Sequence, residues 1–75
     1  MLQLAPRIVV DPTIRFGKPI IQGTRISVAQ VLAKLAGGMT MDELMQEYEL
    51  SQADIRAALH YASIKVDEEE ILVHA

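Results

Sequence analysis

The sequence predicts a mainly α fold: a three-helix bundle containing a helix-turn-helix and preceded by short N-terminal β-strands or a hairpin. Three observations carry that expectation. First, one helix-start pattern occurs three times, as Ile26-Ser27 with Gln30-Val31, Met39-Thr40 with Glu43-Leu44, and Leu50-Ser51 with Asp54-Ile55. In each, the hydroxyl accepts from an orphan amide of the first turn, the later polar side chain returns the bond, and the apolar pair staples the chain's entry. Asp54 is the weakest of the three partners because its side chain is shortest. Second, apolar residues at helical spacing follow each start. Third, Thr40 and Ser51 lie eleven residues apart, which leaves room for a short helix and a tight turn, the layout of a helix-turn-helix.

Residues 7–26 read as short strands. Arg7-Ile8-Val9-Val10 is β-branched and ends at Asp11-Pro12; Ile14-Arg15-Phe16 alternates; Gly17-Lys18-Pro19 turns; Ile20-Ile21 resumes before Gly23-Thr24. The prolines argue against a central-sheet role. So few strands are marginal alone and must pack on the helices or pair with another chain.

The helical part spans 27–66. Helix one is expected over Val28–Ala36, with Val28, Val31, Leu32, Leu35 and Ala36 facing the core and Gly37-Gly38 ending it. Helix two, about Met41 to Tyr48, buries Met41, Leu44, Met45 and Tyr48, and Glu49-Leu50 makes the turn. Helix three runs from Gln52 to about Lys65 with Ile55, Ala58, Leu59, Ala62 and Val66 inward. Residues 67–75 form a tail, acidic through Asp67-Glu68-Glu69-Glu70 and then too apolar, in Ile71-Leu72-Val73-His74-Ala75, to be indifferent.

Seventy-five residues make one domain, 1–75, near the lower limit for a self-sufficient core. Yet 51% of them are apolar, which suggests that another chain covers part of that surface. Absent cysteine excludes a disulfide framework and a zinc-finger set. No apolar run reaches the roughly 18 residues of a membrane span, and Pro6-Arg7 comes too early for a signal peptide, so the expected location is cytoplasmic. The net charge of −3 is uneven. Residues 1–37 set Arg7, Arg15, Lys18, Arg25 and Lys34 against Asp11 alone, giving +4, whereas 38–75 set Arg56 and Lys65 against nine acids, giving −7. Two surfaces with different partners, or simply a solvated exterior, would account for that.

No catalytic constellation, metal site or cofactor motif is visible, and no enzymatic activity is expected. His60 and His74 lack carboxylates at metal-binding spacing, and Gly37-Gly38 lacks the longer pattern of a phosphate loop. The binding candidates lie on helix three, whose outer row is Gln52, Arg56, His60 and Ser63. In a helix-turn-helix the second helix enters the major groove. There Gln52 could pair with adenine and Arg56 with guanine, while His60 and Ser63 reach phosphate or groove wall. The competing reading makes this row the wet side of an amphipathic helix. Because the surrounding half is acidic, DNA affinity would have to draw on Arg15, Lys18, Arg25 and Lys34, or on a bound partner.

The stretches Asp11-Pro12, Gly17-Lys18-Pro19-Ile20-Ile21 and Gly23-Thr24-Arg25-Ile26-Ser27-Val28 resemble the signature of the family known as domain of unknown function 433. So do Leu32 through Gly38, Glu43-Leu44, Tyr48, Leu50-Ser51, Asp54-Ile55, Ala57-Ala58-Leu59 and Tyr61-Ala62, so that the resemblance runs from about Ile8 to Ala62. It implies a homeodomain-like bundle and the antitoxin half of a type II toxin–antitoxin pair in a prokaryote, beside a PIN-like ribonuclease. On that implication the protein silences the nuclease and represses its own operon as a dimer. The tail suits toxin binding: Glu68, Glu69 and Glu70 could face a basic RNA channel, and Ile71, Leu72 and Val73 could add a strand to an exposed edge. A tail packed on its own core is the alternative. Expected partners are a second copy, joined through residues 7–22 and helix one, operator DNA and the nuclease, with no membrane. The alternatives to the antitoxin reading are a protein-interaction module of the same fold without DNA binding, and a free-standing transcription regulator.

Overall fold

The structure, a computed structural model, describes residues 1–72. Strands β1 (Leu2–Ala5), β2 (Ile8–Val10) and β3 (Ile20–Ile21) precede helices α1 (Val28–Ala36), α2 (Met41–Tyr48) and α3 (Gln52–Asp67). The strands form one antiparallel sheet in the order β1-β2-β3, with Gln3 opposite Val9 and Ile8 opposite Ile21.

All three helix starts close as capping boxes. Ser27, Thr40 and Ser51 each accept from the amide three residues on, and Gln30, Glu43 and Asp54 accept in return from the cap's amide at 2.9, 2.9 and 3.0 Å. The shorter Asp54 therefore closes its box as tightly as Glu43 does. The residues that staple each start, Ile26 with Val31, Met39 with Leu44 and Leu50 with Ile55, belong to one apolar cluster. Ile8, Ile21, Val28 and Ala58 complete the buried part of it, so the sheet's inner face and all three helices share this core. Gly38, at φ 103, takes the left-handed position after α1, and the Met39 amide reaches back to the Lys34 carbonyl.

Several details depart from the sequence expectation. Leu2–Ala5 forms a strand that the pattern of residues 7–26 did not announce. It makes β2 the central strand, which the prolines tolerate because Pro6, Pro12 and Pro19 all lie outside the strands. With β2 paired on both sides inside one chain, and the outer side of β3 taken by the bridge of Ile20 with Ser27 and the bond from the Ile21 amide to the Ile26 carbonyl, residues 7–22 offer little free strand edge to a second chain, and the open edge is that of β1. Ile14-Arg15-Phe16 is not a strand. Asp11 accepts from both the amide and the hydroxyl of Thr13, and this turns the chain into a tight left-handed bend at Arg15, Phe16 and Gly17, with φ of 52, 55 and 76. For the two residues with side chains that conformation costs about 1–2 kcal/mol each.

The inward stripes are narrower than periodicity suggests. Leu32 and Ala36 on α1, and Leu59 and Val66 on α3, are exposed rather than in the core. For Val66 the cause is length: at 1.5 Å per residue α3 runs about 24 Å against about 14 Å for α1, so its last turn runs past the core.

Candidate functional site

The turn between α2 and α3 is short. Glu49 closes α2 in the left-handed conformation at φ 54, Leu50 is buried with its amide bonded to the Met45 carbonyl, and Ser51 caps α3. This places Gln52, Arg56, His60 and Ser63 on one exposed face of α3. Among the described residues the side chains of Gln52, Arg56 and His60 make no hydrogen bond or ion pair. Ser63 differs, because its Oγ donates to the His60 carbonyl at 2.7 Å and is partly spent on its own helix.

Beside this face sits a pair that sequence reasoning missed. Arg7 Nη1 donates to Asp54 Oδ1 at 2.9 Å, linking the β1–β2 turn to the first turn of α3. Partial burial pushes the Asp54 carboxyl up, but the Ser51 amide, the Arg7 guanidinium and the Ser51 hydroxyl outweigh it and hold the group below its ordinary value. No local pattern signals this contact, since the two residues stand 47 positions apart.

The four other cations expected at DNA do not gather around α3. Arg15 and Arg25 stand together, with Arg15 Nε donating to the Arg25 carbonyl at 3.0 Å. Arg25, Ile14 and Met1 cover Val9 and Ile20, the side chains that alternation turns away from the helices. These two arginines therefore belong to the outer face of the sheet. Lys34 stands at the end of α1 beside Gly37, Gly38 and Glu43, and Lys18 is exposed before Pro19. Among the described residues no three His, Cys, Asp or Glu side chains converge as metal ligands would.

A second surface is apolar. Pro19, Val28, Leu32, Tyr61, Ala62 and Val66 line an open groove of about 250 Å³ between α1 and the overhanging end of α3. Lys65 stands at its rim, 5.5 Å from the centre of the Tyr61 ring and 3.2 Å from Glu68 Oε2. Beyond α3, Glu68, Glu69, Glu70, Ile71 and Leu72 are all exposed, so the described part of the tail does not fold back on the core. Val73, the remaining candidate for toxin binding, lies outside the described residues. No helix of the described residues is long and apolar enough to cross a membrane.

The sequence model of a family described as protein of unknown function (DUF433) matches residues 8–62. No curated protein matches the chain. The crystal structure of a DUF433 member from Anabaena variabilis is similar over 83% of this chain, with 30% identity and a TM-score of 0.76. The chain spans 62% of the length of that protein. Rv2018 from Mycobacterium tuberculosis is similar over 69% of this chain, at 33% identity and a TM-score of 0.62, and the chain spans 24% of that protein's length.

Proposed function

The chain belongs to the DUF433 family, and on that premise we propose that it is a cytoplasmic antitoxin of a type II toxin–antitoxin pair. It acts by binding rather than by catalysis. Its α2–turn–α3 unit is a homeodomain-like helix-turn-helix that holds operator DNA, and its tail and exposed apolar surface engage a second copy and a PIN-like ribonuclease. The observation that carries the DNA reading is the row Gln52, Arg56 and His60. It starts at the N-terminus of the helix after the turn, is exposed, and has no side-chain partner among the described residues. A helix in the major groove reads base edges from such a row. Arg7, drawn to the same end of α3, pairs with Asp54 and offsets one of the acids beside that row.

The test is fluorescence anisotropy with duplex DNA from upstream of this chain's own reading frame. Arg56→Ala should cost about 1–3 kcal/mol on the specific site through loss of a base contact. Equal affinity in wild type and variant would remove α3 from the reading role.

A second reading has an observation of its own. Arg15 and Arg25 stand on the outer face of the sheet, away from the helices, so one chain does not combine them with α3 into one basic surface. That favours a protein-interaction module of the same fold without DNA binding, for which wild type and Arg56→Ala would both fail to bind duplex.

A further inference from the structure

Phe16 is 98% exposed, more than any other large apolar side chain of the described residues. The bend that presents it is braced, not slack. The Ile14 amide donates to the Asp11 carbonyl, Gly17 to Ile14 at 3.2 Å, and Lys18 to Arg15 at 3.0 Å. Pro12, Thr13, Arg15 and Arg25 line with Phe16 an open concavity of about 560 Å³. Arg15 spends its Nε on the Arg25 carbonyl, which fixes the guanidinium and leaves its terminal nitrogens without a partner among the described residues. Asp11, the one carboxylate in residues 1–37, is near enough to Arg25 for their charges to attract, but among the described residues it forms no ion pair with either arginine, so two cations face one anion here.

We propose that this bend is a binding site for single-stranded nucleic acid, with an unpaired base stacked on Phe16 and the adjoining phosphate held by Arg15 and Arg25. Single strands are recognised by aromatic platforms set in positively charged grooves, and stacking tolerates any base because every base has a π-face. A base inside a duplex has both faces covered and offers Phe16 nothing. Around the bend Arg15, Lys18 and Arg25 stand against Asp11 alone, a positive balance that suits a polyanion. Being on the outer face of the sheet, the site works independently of α3 and of the operator reading.

The experiment measures anisotropy of fluorescein-labelled oligothymidylate and oligouridylate of about 12 nucleotides, within the span of known single-strand sites, at low salt. A duplex of the same length is the comparison. The wild type should bind the single strands in preference to the duplex. Phe16→Ala should weaken binding by about 5- to 150-fold, the effect of losing one stacked base, while Phe16→Trp keeps it. Arg25→Ala should reduce the slope of log affinity against log salt by about 0.7, the loss of one phosphate contact on a single strand. Arg56→Ala should change nothing here, which separates this site from the operator reading. Thermal melting of Phe16→Ala at or above the wild-type temperature shows that the fold is intact. Absence of single-strand binding, or equal binding by Phe16→Ala, overturns the proposal. So does a Phe16→Ala defect confined to self-association or to capture of a protein partner.

Discussion

Arg7 and Asp54 meet at 2.9 Å across 47 residues of sequence, and the contact locks the first turn of the sheet to the first turn of α3. Asp54 also closes the capping box of that helix through its other oxygen, at 3.0 Å from the Ser51 amide. One carboxylate thus sets both where α3 begins and what it is fastened to. Asp54→Ala should cost about 0.5–2 kcal/mol through the lost cap. Arg7→Ala should cost less than about 1 kcal/mol, since the arginine side chain is half exposed and surface pairs contribute little. Urea unfolding of the two variants checks the order.

The three carboxylates whose partners hold them charged give a pH dependence. Asp11 lies below its ordinary value through the Thr13 hydroxyl and amide, and Glu43 through the Thr40 amide and hydroxyl. Asp54 is lowered as well, despite its partial burial. Depressed carboxylates release their protons more readily in the folded chain. Their stabilisation is complete above the unfolded values near 4 and is lost as pH falls through the folded ones. Melting temperature should therefore hold from neutral pH to about 5 and then drop, and the drop should be smaller in Asp54→Asn.

The caps themselves should be unequal. Ser27→Ala, Thr40→Ala and Ser51→Ala each remove one box, at about 0.5–2 kcal/mol, or about 4–8 °C of melting temperature per kcal/mol in a domain of this size. Ser27, buried at 6% exposure, should show the largest loss, because its partners gain no water in exchange. The opposite sign is expected at the α2–α3 turn. Glu49→Gly should raise stability by about 1 kcal/mol, since glycine takes the left-handed conformation without strain. Calorimetric melting of the four variants measures both effects.

Core and rim should separate cleanly. Ile55→Ala and Leu44→Ala remove fully buried side chains and should cost about 2–5 kcal/mol. Val66→Ser touches a residue 67% exposed at the apolar groove and should leave stability within about 0.5 kcal/mol, whereas Leu32→Ser, at 36% exposure, should cost about 1–2 kcal/mol. If this surface is where a second copy sits, the same two variants should shift a dimer to monomer in sedimentation velocity, whereas polar changes on β1 should not.

The helices were legible because their signals are local. Ser27 with Gln30, Thr40 with Glu43 and Ser51 with Asp54 each lie within one turn, and Val28–Ala36 and Met41–Tyr48 came out at their expected bounds. What escaped the sequence is what depends on neighbours or on rare backbone. Leu2–Ala5 becomes a strand only because β2 offers it an edge. Arg15 and Phe16 alternate as a strand would, but the Asp11–Thr13 turn commits them to a left-handed bend. Val66 has core spacing on a helix that outruns its core. Of the binding residues, Gln52, Arg56, His60 and Ser63 share a face because helical geometry requires it. Arg15 and Arg25 could not be placed relative to that face without the sheet between them.

The tail should be separable from the fold, because Glu68 to Leu72 are exposed and make no contribution to the buried cluster. Deletion of residues 68–75 should leave helical circular dichroism and melting temperature close to wild type, apart from the surface pair of Lys65 with Glu68.

The most direct measurement is the ribonuclease activity of the product of the reading frame next to this chain's own, titrated with the full chain and with the version lacking residues 68–75. The full chain should abolish RNA cleavage at a one-to-one ratio of chains, and the folded truncation should inhibit only at a large excess, with faster dissociation from the nuclease. Undiminished cleavage in the presence of the full chain, inhibition by the truncation equal to that of the full chain, or a neighbouring frame that encodes no nuclease would contradict the antitoxin reading.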